Sequence, residues 1–111
     1  MTIHYRKLDV HSNKQLVEKV IQLHNRIFND SSNWSTQLGS KPSLVMFVAF
    51  HDSKVVGYKI GYALNEKTFY SWLGGVDTKY RNHGIARMLM EKQHEYLKKN
   101  GYKKSSNKNK E

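Results

Sequence analysis

The chain has 111 residues, with 19 Lys and Arg against 9 Asp and Glu, six His, no Cys and a formal net charge of +10. That length suits one domain with a thin core, one that buries roughly 65% of the unfolded chain's surface. Without cysteine there is no disulfide framework, no Cys-based zinc site and no thiol nucleophile.

The first ten residues mix Arg6, Lys7 and Asp9 with apolar side chains and lack the apolar stretch of a signal peptide. No later run approaches the ~20 apolar residues that cross a bilayer, so the expectation is a soluble cytoplasmic protein without membrane contact. Residues 3–8 read as a short strand. A helix is expected from Ser12, because Ser12 and Gln15 have capping-box spacing. Leu16, Val17, Val20, Ile21, His24, Ile27 and Phe28 follow at helical spacing. His24 lies on that stripe and reads as a partly buried structural histidine. Residues 29–43 are polar and contain the only proline, Pro42. They form a connection with a short helix around Trp34.

Three strands come next. Residues 44–50 are continuously apolar, as in a strand covered on both faces. Residues 55–64 and 69–76 complete an antiparallel meander. Gly57 and Gly61 inside the middle strand mark a bend or a close backbone approach. Tyr58, Tyr62, Tyr70 and Trp72 read as core or as lining for a substrate pocket. A helix over residues 84–99 ends at Asn100-Gly101, with Ile85, Met88, Leu89, Tyr96 and Leu97 on its apolar side. Beyond Tyr102 no apolar residue remains, and a disordered basic tail is expected over residues 103–111. Six Lys and one Glu fall in residues 98–111, so half of the net charge belongs to the end of the chain.

The passage from the third strand into the last helix carries the chemistry. A strand, a short loop and a helix start present free backbone amides and the positive end of a dipole, which together make an anion site. Gly84 leaves those amides open, and Arg81 adds a forked cation. Arg81-Asn82-His83-Gly84-Ile85-Ala86 matches the pyrophosphate signature of the GNAT acetyltransferase superfamily, and over residues 1–102 the order of elements resembles that fold.

The resemblance implies an α/β (α+β) domain over residues 1–102, a meander flanked by helices. It implies an N-acetyltransferase that uses acetyl-coenzyme A as acyl donor and attacks its thioester directly with a small-molecule or peptide amine. Amides of Asn82, His83, Gly84, Ile85, Ala86 and Arg87, with the Arg81 side chain, would hold the pyrophosphate. Main-chain groups at Val76 would pair with the pantetheine arm. The amide of Gly74, in a glycine pair suited to a bulge, would polarise the thioester carbonyl.

Two departures from the family follow. The third strand has no acidic side chain at the family's usual base position, so the side-chain base is unassigned. Glu66 and Asp77 flank that strand and read as solvated turn residues. The chain also ends where the family continues with strand, helix and strand. It therefore reads as a C-terminally truncated member whose exposed third strand recruits a second copy as a homodimer. No metal-ligand pair of histidines occurs at helical spacing. The alternative is a non-catalytic basic module for a protein partner or nucleic acid, the latter disfavoured by the strand-like aromatic spacing.

Overall fold

The computed structural model describes residues 1–30 and 32–106. Strand β1 (Ile3–Leu8) is followed by helix α1 (Lys14–Phe28) and a 3-10 helix (Trp34–Ser40). The meander β2 (Val45–His51), β3 (Lys54–Ala63) and β4 (Thr68–Val76) comes next. A short 3-10 turn (Thr78–Tyr80), helix α2 (Ile85–Lys99) and strand β5 (Lys104–Ser106) complete the described chain. All five strands form one sheet in chain order, antiparallel except for the parallel β4–β5 pair.

The side-chain alternation of β2 divides the core. Met46, Val48 and Phe50 pack with Val17, Val20 and Leu23 of α1 and with Trp34 and Leu38. Val45, Phe47 and Ala49 pack with Ile85, Leu89 and Leu97 of α2. One helix therefore covers each face, which is why β2 is apolar at every central position. The glycines of β3 serve close approach. A Cβ on Gly57 would lie 3.0 Å from Ile85, and one on Gly61 would lie 2.3 Å from the Phe69 ring.

Several local expectations are corrected. No capping box forms at Ser12 and Gln15. The Asp9 carboxylate instead accepts from the Ser12 hydroxyl at 3.1 Å and from the His11 amide at 2.9 Å. Helix α1 then begins at Lys14 behind Asn13, without a side-chain cap. A charged acceptor nearby in sequence competes for the hydroxyl that the helix would have used. In α2 the buried positions run at four-residue spacing through Ile85, Leu89, Gln93 and Leu97, leaving Met88 exposed on the flank.

The disordered tail does not begin at residue 103. The amides of Lys103 and Lys104 donate to the Lys67 carbonyl, and Lys104–Ser106 pairs with Thr68, Phe69 and Tyr70. Backbone pairing needs no apolar side chain, so a Lys-Ser-Ser segment can extend the sheet although nothing in its composition suggests a strand. The expected tail over residues 107–111 lies outside the described residues. Among the described residues, the open edge of β4 is shorter than expected and begins at Ser71.

Replacing Gly61 by Ala should destabilise the fold by about 1–3 kcal/mol, because Phe69 is fully buried and the Tyr70 carbonyl also lies 2.7 Å from the added methyl. Gly39→Ala, with nothing within 4 Å of its Cβ, should stay within about 0.5 kcal/mol. Equal urea midpoints for the two variants would contradict the close approach at Gly61.

Candidate active site

The site grows out of the way β4 ends. In the β3–β4 ladder Tyr58 pairs with Gly75, Lys59 with Gly74 and Gly57 with Val76. The Asp77 amide donates to the Val56 carbonyl at 2.8 Å. Antiparallel hydrogen bonding alternates along a strand, so Gly75 and Asp77 turn their backbone groups toward β3. Gly74 and Val76 turn theirs outward, to the side where no strand pairs with them among the described residues. The two positions expected to meet an acyl donor thus lie along one edge that is open among the described residues.

The expected bulge lies elsewhere. Ile60 pairs with Leu73 and Gly61 with Ser71, so the extra residue is Trp72, while Gly74 sits in regular register. The large ring of Trp72 packs on Trp34, with centroids 6.0 Å apart. This contact holds the extra residue toward the α1 face, a packing effect that glycine content does not reveal.

Beyond Val76 the chain turns sharply, and the turn is clamped. Asp77 is buried, and its carboxylate accepts from the Lys79 amide at 3.0 Å and from Arg26 Nη2 of α1 at 3.1 Å. Lys54 Nζ stands 3.8 Å away. Burial pushes the Asp77 pKa up, but the Lys79 amide and the Lys54 and Arg26 charges outweigh it and hold the carboxyl below its ordinary value. Tyr80 is fixed as well, its hydroxyl 2.8 Å from His51 Nδ1 at the end of β2. The expectation of a solvated Asp77 is therefore corrected. Its partner Arg26 is 51 residues away in sequence, out of reach of any local signal. Glu66, by contrast, is exposed in its turn, as expected.

The clamp delivers the chain to α2 in an open state. Asn82 and Gly84 take left-handed backbone angles, with φ of 67° and 76°. A Cβ at Gly84 would meet nothing within 4 Å, and no side chain caps α2. Its first turn carries no acidic residue. The first amides and the dipole therefore face outward beside the exposed Arg81 and Arg87. Arg81, Asn82, Gly84, Ile85, Ala86 and Arg87 line a cleft of about 570 Å³ whose wall includes Gly74, Gly75 and Val76. His83 is exposed and does not line it.

Lys59, which the sequence reading passed over, also lines this cleft, and its Nζ lies 3.7 Å from the Cβ position of Gly74. Burial lowers its pKa. A diphosphate fits this donor set: unpaired amides, two guanidinium groups and no competing carboxylate. Among the described residues, no group of three His, Asp or Glu side chains could hold a metal, and no helix is long and apolar enough to cross a membrane.

A family model described as the acetyltransferase (GNAT) family matches residues 13–110. The fold is shared with an aminoglycoside acetyltransferase from an uncultured soil metagenomic sample, solved with trehalose. That match has a TM-score of 0.81 at 19% identity and covers 98% of this chain and 78% of that one. A ribosomal-protein-alanine N-acetyltransferase from Brucella melitensis biovar Abortus 2308 matches with a TM-score of 0.71 at 16% identity, over 96% and 79% of the two chains. An aminoglycoside acetyltransferase solved with the bisubstrate analogue CoA-S-monomethyl-acetylneamine matches with a TM-score of 0.76 at 13% identity, over 99% and 81%. No curated protein matches the chain.

Asp77→Asn should lower stability at pH 7 by about 1–3 kcal/mol, since a buried acceptor of two donors loses its charge. The folded carboxyl has a depressed pKa, so its stabilisation is complete above the unfolded value of about 3.9 and is lost as pH falls through the folded value. Thermal melts of wild type and variant should therefore converge below about pH 4. A gap that stays constant from pH 7 to pH 3 would contradict the charge-based clamp.

Proposed function

The chain belongs to the acetyltransferase (GNAT) family, and from that premise we propose that it transfers the acetyl group of acetyl-coenzyme A to a primary amine. Acetyl-coenzyme A is the acyl donor of this family, and it supplies an activated thioester carbonyl that an amine attacks directly. The observation that carries the proposal is the open edge at Gly74 and Val76, continuous with an uncapped helix start.

The residues divide the work by position. Amides from Asn82 to Arg87 take the pyrophosphate, and Arg81 supplies a charge-assisted fork. His83 contributes its main chain only, since its side chain faces solvent. Val76 pairs with the pantetheine amides as a neighbouring strand would. The outward Gly74 amide donates to the thioester oxygen as negative charge develops there. Lys59, next to it, adds positive potential. The acceptor, a small-molecule or peptide amine, enters over α1 and the 29–43 connection, where the partly buried Trp72 packs over the buried Trp34.

A homodimer would use the same backbone groups. Without donor, the edge from Ser71 to Val76 is free to pair with its equivalent in a second copy. Light scattering at micromolar concentration should then show a dimer that acetyl-coenzyme A dissociates. A dimer indifferent to the donor would place its interface elsewhere.

Titration calorimetry with acetyl-coenzyme A tests the donor site. Arg81→Ala should weaken binding about tenfold, the loss of one charge-assisted contact. Gly84→Glu should abolish detectable heat by placing a carboxylate against the helix start, with circular dichroism confirming that α2 persists. No heat with the wild-type chain would contradict the proposal. Binding indifferent to both changes would move the donor away from α2.

A further inference from the structure

The family's usual acidic base position on β4 holds no carboxylate, yet a proton-accepting chain reaches the cleft from the other side. His24 of α1 is buried. Its Nε2 lies 3.1 Å from Asp30 Oδ2, and its Nδ1 is hydrogen-bonded to the Tyr58 hydroxyl. A carboxylate only accepts, so it takes the ring proton at Nε2, and Nδ1 is left to accept the Tyr58 O–H. The direction is thus set along the chain: Tyr58 donates to His24, and His24 donates to Asp30. This is the order of a hydroxyl, an imidazole and a carboxylate in which the imidazole takes the hydroxyl proton and the carboxylate orients it.

Both ends of this chain are placed for such a role. Asp30 is held by the Ser32 amide at 2.8 Å, and hydrogen bonds from Ser32 and then His24 keep its carboxyl below the ordinary range. Tyr58 is among the residues that line the cleft and pairs with Gly75 across the ladder, although it is only 1% exposed. A Cβ on Gly75 would stand 2.9 Å from the Tyr58 hydroxyl, so the missing side chain is what leaves room beside that buried oxygen. Gly74, whose amide faces the thioester position, is the next residue. Phe28 and Trp34 pack on the imidazole, with centroids at 4.9 and 4.7 Å, and shield it from water.

We propose that Tyr58 is a catalytic residue that accepts the proton released by the acceptor amine, with His24 and Asp30 as positioning residues that draw the phenolic proton away from the cleft. The proposal rests on the acetyltransferase reading above. As the amine nitrogen bonds to the thioester carbon, one N–H proton passes to the Tyr58 oxygen while the Tyr58 O–H proton passes to His24 Nδ1. The C–S bond breaks with its electron pair on the coenzyme A sulfur, and the Asp30 carboxylate balances the imidazolium. His24 then returns the proton to Tyr58, which releases its own to the thiolate or to water. Burial, with Asp30 nearby, raises the Tyr58 pKa well above that of a free phenol. A standing phenolate is therefore disfavoured, and in this proposal the two transfers are coupled.

Two readouts test this, the first independent of turnover. Nitrogen-15 NMR of the imidazoles should show His24 protonated at Nε2 with Nδ1 accepting, and Tyr58→Phe should shift the Nδ1 resonance. An Nδ1-protonated His24, or an Nδ1 resonance unmoved by Tyr58→Phe, would overturn the relay. The second readout is release of coenzyme A thiol from acetyl-coenzyme A, with a polyamine, an aminoglycoside, an alanine-terminated peptide or water as acceptor. Tyr58→Phe should lower kcat about 100-fold while leaving KM for acetyl-coenzyme A within about twofold, a split that loss of packing alone would not produce. Should Tyr58→Phe fail to fold, Asp30→Asn at the outer end of the chain should lower kcat about tenfold with the same KM. A kcat within about threefold of wild type in a folded variant would overturn the proposal. Donor binding without thiol release to any acceptor would overturn the relay and spare the donor site, whereas no donor binding would remove the reading beneath it.

Discussion

Where β4 ends, the chain must leave the sheet, reverse and start a helix whose first amides stay unbonded, and the Asp77 carboxylate makes that path stable. It takes the Lys79 amide from its own turn, the Arg26 side chain from α1 on one face, and the charge of Lys54 from the start of β3. A neutral side chain there could satisfy the turn, but it could not draw two cations from separate elements. Tyr80 adds a second tether through His51. With both ends of the loop fixed, Arg81 to Gly84 can remain exposed and the helix start uncapped without loss of register. An uncapped N-terminus forgoes about 1 kcal/mol of stability, and the buried carboxylate one turn earlier offsets that loss.

The same strand shows how pairing and its absence are divided. Thr68 to Tyr70 is bonded on both sides, by β3 and β5, and from Ser71 onward the outer side is open among the described residues. An open edge normally invites aggregation. Here the exposed stretch contains two glycines and a bulged tryptophan, which shorten and twist the edge. Gly74 brings an amide to the surface without a side chain, and Gly75 leaves room beside the buried Tyr58 hydroxyl.

Features with a local sequence cause could be read in advance. The meander, both main helices and the Arg81-to-Ala86 signature follow from alternation, helical spacing and glycine at a left-handed position. The site residues named from the signature do gather at one cleft, apart from the His83 side chain. What escaped was set by partners far away in sequence. Asp77 looks like a turn residue until Arg26 folds against it. His24 is the buried histidine that its place on the stripe suggests, but its partners Asp30 and Tyr58 could not be read from it. The bulge at Trp72 is a consequence of packing on Trp34. Strand β5 escaped for a different reason, since a short edge strand held only by backbone bonds leaves no mark on composition.

The central claim is that the open edge of β4 and the uncapped start of α2 form one continuous donor site. Titrating nitrogen-15-labelled protein with coenzyme A, and following the backbone amides, tests this most directly. The account predicts saturable shifts at Gly74 and Val76 together with Gly84 through Arg87, all at one dissociation constant. Shifts confined to the basic segment from Lys98 onward, or shifts at α2 with Gly74 and Val76 unmoved, would contradict it.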